Sequence, residues 1–370
     1  MKWRIRIGGG VLTAVLGASL AIAQQQVPDI PYEADAEFLK LPADVYFGEV
    51  AGVAVNSQRH VFVFSRGGTT GPAFGAAAAQ LFEFDANGKF VREIGHNLYA
   101  FSYAHSVKVD RDDNVWIVDK GSDMVVKFNP AGKVAMVFGR KKEASDEAVP
   151  WTRVNPPRPH QNGYFRQPTD VTWDTQGNIF VSDGYVNSRV AKFSKAGDWM
   201  KSWGEKGTKD GEFDTPHSIA ADARGNIYVA DRGNRRVQVF DPEGTFLRSF
   251  SVVGVPVPAD AGPAIGNPPS PEVTGTMAPG APWAICITPG ANQVMFLSDA
   301  YPGRIYKVSL DGKVLGVLGK AGKQPKQFGW IHEIACPSEN ELYVAEVLNW
   351  RVQKLTLKAA ARSAPARQNR

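Results

Sequence analysis

PHSIAADARGNIYVADRGNRRVQVF (216–240), followed by TFLRSF (245–250), decides the fold. It holds four short β-prone runs separated by turn residues: SIAAD (218–222), IYVAD (227–231), RVQVF (236–240) and TFLRSF. The pattern recurs along the chain. First runs stand at 52–56 (GVAVN), 106–110 (SVKVD), 170–174 (DVTWD), 284–288 (AICIT) and 333–337 (EIACP). Second runs follow in each (VFVF, VWIVD, IFVSD, MFLSD, LYVAE), then third runs (LFEFD, VVKFN, RVAKF, RIYKV, RVQKL). Fourth runs, after Gly-containing turns, complete all repeats but the last. Four short strands with glycine hairpins, six times over, predict an all-β six-bladed β-propeller of four-stranded blades. The last repeat lacks its fourth strand, and EFLKL (37–41) is expected to supply it, closing the ring from the N-terminal side.

The remaining segments bound the domain. MKWRIRIGGGVLTAVLGASLAIA (1–23) has Lys2, Arg4 and Arg6, an apolar run and a small-residue Ala-Ile-Ala end, as a secretory signal does. The propeller is expected over 24–357 and a disordered basic tail over 358–370. Secretion or a periplasmic location is expected, with no membrane contact after cleavage. Removing the signal lowers the formal charge from +5 to about +2, and no basic stripe interleaved with aromatics crosses the repeats, so nucleic acid is not an expected partner. Long connections at 65–79, 140–167 and 251–282 are expected to wall a cleft on one face. Cys286 and Cys336 fall one residue out of step on two first strands. Alternation puts them on opposite faces, so two separate buried thiols are expected.

The residue entering each first strand reads Ala51, His105, Thr169, His217, Trp283, His332. The chain has six histidines, and half of them occupy this one slot in alternate repeats. A closed ring aims all three imidazoles at the axis, a three-nitrogen set suited to zinc with an open coordination position. Arg66, Tyr185 and Arg232 follow second strands and are expected at the same mouth. Two arginines, a tyrosine and a Lewis acid suit a small molecule or peptide carrying a carboxylate and an acidic hydroxyl. Arg189, Arg236, Arg304 and Arg351 recur at one repeat position and are expected to be structural.

PTDVTWDTQGNIFVSDGYVNSRVAKFS (168–194), PHSIAADARGNIYVADRGNRRVQVF (216–240), VAGVAVNSQRHVFVFSRG (50–67) and IHEIACPSENELYVAEVLNWRVQKL (331–355) resemble the peptidyl-α-hydroxyglycine α-amidating lyases, built on NHL-type repeats. The resemblance implies a zinc held by His105, His217 and His332, with Tyr185 as base and Arg66 and Arg232 on the substrate. It also implies a structural calcium held by main-chain oxygens of Val53 and Val107 and the carboxylate of Glu333, which stands where the family has aspartate. The implied reaction is carbon–nitrogen lysis: the N–Cα bond of an α-hydroxyglycine carbinolamide breaks to an amide and glyoxylate. A hydroxylating domain is not expected in this chain, so the substrate is expected to arrive hydroxylated. Two other readings stand beside this one. A non-catalytic NHL propeller would bind a peptide, glycan or protein partner on its loop face. A lactonase-like hydrolase would favour carboxylate and asparagine ligands over three histidines.

Overall fold

One aspartate builds the turn between the first two strands of a repeat. Asp222 Oδ1 accepts the N–H groups of Arg224 and Asn226, both at 2.9 Å, and Oδ2 accepts the Asn226 amide at 2.8 Å. Gly225 supplies the left-handed residue at φ +86°. Asp174 and Asp110 make the same turns one and two repeats earlier. A hairpin clamped this way fixes the register of both flanking strands.

The computed structural model describes residues 27–67, 79–141, 159–261 and 275–358. The expected signal at 1–23, the tail from 359 onward and the middle of each long connection lie outside them. The described chain forms six four-stranded antiparallel sheets. Their innermost strands are Val50–Val55, Ala104–Val109, Asp170–Trp173, Pro216–Ala221, Ala284–Ile287 and Ile331–Ser338. Each packs against the next, and the last packs against the first, so the sheets stand around one axis as the blades of a propeller. Among the described residues the only helical turn is a 3-10 turn at Gly275–Met277, and no helix is long and apolar enough to cross a membrane.

Blades stack face to face, so second strands are covered on both sides. Val61–Ser65, Ile179–Asp183 and Ile227–Asp231 are buried at every position, whereas the outer strand Phe246–Phe250 alternates half-buried and exposed. The core is six apolar seams, one per pair of blades. Phe180 and Val190 of blade three, for example, meet Phe213, Ile219, Ile227 and Phe240 of blade four. The four repeat arginines are structural. Arg189, Arg236, Arg304 and Arg351 each pair with the carboxylate at or just past the end of their own blade's second strand: Asp183 (3.0 Å), Asp231 (2.8 Å), Asp299 (3.7 Å) and Glu346 (2.8 Å).

Two expectations are corrected. The outer strand of blade six is Tyr32–Asp35, not 37–41: it pairs antiparallel with Arg351–Leu357, from Tyr32 opposite Leu357 to Asp35 opposite Lys354. YEAD alternates half-buried and exposed residues, as an edge requires. Phe38, Leu39 and Leu41 are instead drawn into the seam between blades six and one. Second, Cys286 and Cys336 form a disulfide. Alternation within a strand is the wrong criterion here, because opposite faces of neighbouring blades are the faces that meet. Cys286 and Cys336 reach each other across the seam between blades five and six. A register shift between Ala335 and Ser338 also turns the chain at Cys336.

The bridge links positions separated by 50 residues. Cys286→Ser is therefore expected to cost about 2–4 kcal/mol, seen as a melting temperature several degrees lower. A variant melting with the wild type would show that the bridge contributes no stability.

Candidate active site

Four innermost strands enter the axis through the same irregularity. The register shifts between Val50 and Gly52, Ala104 and Ser106, Pro216 and Ser218, and Ile331 and Glu333. The residue left over is Ala51, His105, His217 or His332. A bulge re-aims one side chain, and in blades two, four and six it aims an imidazole inward. All three rings are buried, with centroids 4.6, 4.7 and 5.0 Å apart. One nitrogen from each lies within 4.8 Å of the others.

The odd-numbered blades hold the rings. His105 Nδ1 lies 2.6 Å from the carbonyl of Thr169, His217 Nδ1 2.7 Å from that of Trp283, and His332 Nδ1 2.8 Å from that of Ala51. A carbonyl only accepts, so each Nδ1 carries the hydrogen and each Nε2 presents a lone pair to the axis. Each acceptor is the slot residue of the following blade. Burial first, then surrounding cations and, for His105 and His217, sister imidazoles, hold all three well below the usual imidazole range. They are neutral, as ligands must be, and the donor set fits a divalent metal with an open position.

Tyr185, just past the second strand of blade three, places its hydroxyl 3.1 Å from His217 Nε2 and 3.3 Å from His105 Nε2. Gly184 makes this possible, since a Cβ there would fall 1.8 Å from the Pro216 carbonyl oxygen of blade four. Burial pushes the phenol up, but Arg232, Lys120 and Arg66 together bring it down to about 8. Arg66 donates to the Ala104 carbonyl at 3.0 Å and to Glu49 at 3.0 Å, and its Nη2 lies 3.3 Å from His332 Nε2. The Arg232 guanidinium stacks 3.9 Å from the Trp283 ring centroid, and Trp330 packs edge-on against that indole at 4.9 Å. All six expected residues of the imidazole site thus come together.

Sequence reasoning missed Lys120 and Tyr103. Lys120 Nζ lies 3.8 Å from the Tyr185 ring centroid, and Arg66 lies over Tyr103 at 4.1 Å. The signal for Lys120 was present: it follows the second strand of blade two in the register that holds Arg66 in blade one and Arg232 in blade four.

One step further along the same strands lies a second polar layer, where calcium was expected. Glu333 Oε2 accepts the N–H groups of Val53 (3.2 Å) and Val107 (3.1 Å). Its Oε1 lies 2.8 Å from Lys108 Nζ and 3.0 Å from Ser106 Oγ. Asp170 lies 3.4 Å from the same ammonium and accepts from Ser106 Oγ, Ser218 Oγ and the Ile219 N–H. Gly52 allows this approach, since a Cβ there would sit 2.8 Å from both Glu333 Oε2 and Val107 N. The residues present do not fit the expected ion. The carboxylate that would ligate it is already engaged, with the Val53 and Val107 N–H groups on Oε2 and the Lys108 ammonium, which also neighbours Asp170, on Oε1. Burial, with Asp170 adding to it and Lys108 opposing, raises Glu333 to about 7.

Among known proteins, the NHL repeat family model matches residues 213–240. The chain is 32% identical over 215 residues to the peptidyl-glycine alpha-amidating monooxygenase of Mus musculus, covering 51% of this chain and 20% of that protein. It is 26% identical over 293 residues to peptidyl-alpha-hydroxyglycine alpha-amidating lyase 1 of Drosophila melanogaster, covering 75% and 48%. It thus spans less than half the length of either relative. Virginiamycin B lyase from Staphylococcus aureus shares the fold, with a TM-score of 0.54 at 12% identity over 89% of this chain and 100% of that one. The resemblance to amidating lyases read from the motifs is thereby supported by named relatives.

His217→Ala removes one of three converging donors. It is expected to lower bound divalent metal from about one ion per chain to near none, by elemental analysis of the purified protein. Full metal occupancy in the variant would dismiss the imidazoles as its holder.

Proposed function

We propose that the chain is a zinc-dependent carbon–nitrogen lyase that cleaves the N–Cα bond of an α-hydroxyglycine-type carbinolamide to an amide and glyoxylate. The observation that carries this is the convergence of three neutral imidazoles with the Tyr185 hydroxyl, 3.1 and 3.3 Å from two of them, inside a ring of cations. Relatives named as amidating lyases support it.

His105, His217 and His332 would hold the ion. Bound there, zinc supplies Lewis acidity to a substrate oxygen and lowers the cost of its developing negative charge. Arg66 and Arg232 orient the substrate carboxylate, so that the scissile bond lies beside the tyrosine. Tyr185, as the phenolate that Arg232, Lys120 and Arg66 favour, takes the carbinol proton and becomes the phenol. The freed electron pair forms the glyoxylate C=O as the C–N bond breaks, and the departing amide nitrogen takes the bond's electrons. The proton on Tyr185 then returns to that nitrogen, so no further reactant is needed. Trp283 backs Arg232 and excludes water from its side of the site, where charge interactions are strongest.

The reading places the protein in an oxidising compartment outside the cytoplasm. The Cys286–Cys336 disulfide accords with this, as does the signal-like segment at 1–23.

Glyoxylate release from an N-acyl-α-hydroxyglycine, measured on zinc-loaded protein, tests the activity. Tyr185→Phe is expected to keep the metal and lose ~10²–10⁴-fold in turnover. Wild-type turnover in that variant would remove the base, and zinc-loaded wild type releasing no glyoxylate would leave the ring as a binding module.

A further inference from the structure

The layer beneath the imidazoles carries an inference independent of the lyase reading. Glu333 and Asp170 are both buried and meet near one point of the axis, from blades six and three. Two carboxylates shut away from water stay ionised together only with a cation beside them, and otherwise one of them keeps a proton. A divalent ion is one solution, and it is the one implied by the resemblance to amidating lyases. This chain contains another. Lys108, on the innermost strand of blade two, brings its ammonium 2.8 Å from Glu333 and 3.4 Å from Asp170.

Coordination chemistry separates the two solutions. Calcium needs about six to eight oxygens, roughly 2.3–2.6 Å away, all facing inward. Here both oxygens of the Glu333 carboxylate are already engaged, Oε2 by two N–H donors and Oε1 by the Lys108 ammonium. Ser106 Oγ bridges Glu333 and Asp170 at 3.0 and 2.6 Å. Lys108 Nζ already stands within reach of both carboxylates, where such an ion would have to bind. We infer that the Lys108 ammonium is a built-in substitute for a structural divalent cation, so that the propeller's axis is locked by a side chain and is independent of calcium. A tethered cation cannot be lost to a chelator or by dilution, whereas a bound ion stabilises a fold only at the concentration at which it is supplied.

Calcium content and thermal melting of the full chain decide it. The protein is stripped with EGTA, reloaded with zinc alone, and melted with and without millimolar calcium chloride. Wild type is expected to hold no stoichiometric calcium before stripping, and to melt at one temperature under both conditions. One calcium per chain, or a drop in melting temperature that calcium but not zinc restores, would overturn the inference. Lys108→Met keeps the stem and removes the charge. It is expected to melt several degrees lower with or without calcium, while Lys108→Arg keeps most of the wild-type melting temperature. A Lys108→Met protein as stable as wild type without calcium would equally overturn it. Should Lys108→Met fail to fold, the wild-type calcium content and Lys108→Arg melting still give the answer.

Discussion

Six strands meeting at one axis bury most of their inward polar groups, His105, His217, His332, Asp170 and Glu333 among them. Most of them find partners on another blade, because an unpaired buried donor or carboxylate costs more than an ordinary hydrogen bond returns. The chain meets this demand in two adjacent layers. In one, Glu333 and Asp170 gather N–H and O–H donors from blades one, two and four around the Lys108 ammonium. In the other, three imidazoles hydrogen-bond to three carbonyls. Each layer ties together strands that no sheet connects.

The imidazole layer divides the labour between even and odd blades. Blades two, four and six give side chains, while three, five and one give backbone acceptors. Bulges at the strand entrances make the even blades possible, since a regular ladder would direct those residues into a seam. The result is a set of lone pairs with fixed tautomers and little freedom to reorganise, as a metal site requires. Burial keeps the imidazoles neutral, helped by Arg66, Lys120 and Arg232 around them, and these cations draw the Tyr185 phenol toward its ionised form. The same charges that depress these groups attract an anion, so acidity and substrate charge are set by one arrangement.

Away from the axis the blades are held by simpler means. Each seam is an apolar cluster, and the carboxylate at or just past the end of a second strand anchors an arginine of the same blade in four of the six. The covalent exception is the seam between blades five and six, crossed by Cys286 and Cys336.

The repeat was legible because its signals are local. The Asp-x-x-Gly-Asn turn, the alternation in outer strands and the continuous apolar second strands all lie within a few residues of one another. The histidine trio was legible too, because three copies of one residue type share one register. Lys120 shares its register with Arg66 and Arg232 and was open to the same argument. Lys108 was not, since in SVKVD it reads as an ordinary outward lysine. The carbonyls behind the imidazoles carry no residue signature and lie 64 to 281 positions from the histidines they hold. Which cysteines meet depends on which faces of neighbouring sheets touch, a relation absent from the parity of either strand. The linear chain therefore determined the periodic elements and the chemistry available to them. Only the closed arrangement of blades decided which of those groups meet at the axis, because partners there come from different sheets and are matched by stacking, not by spacing along the chain.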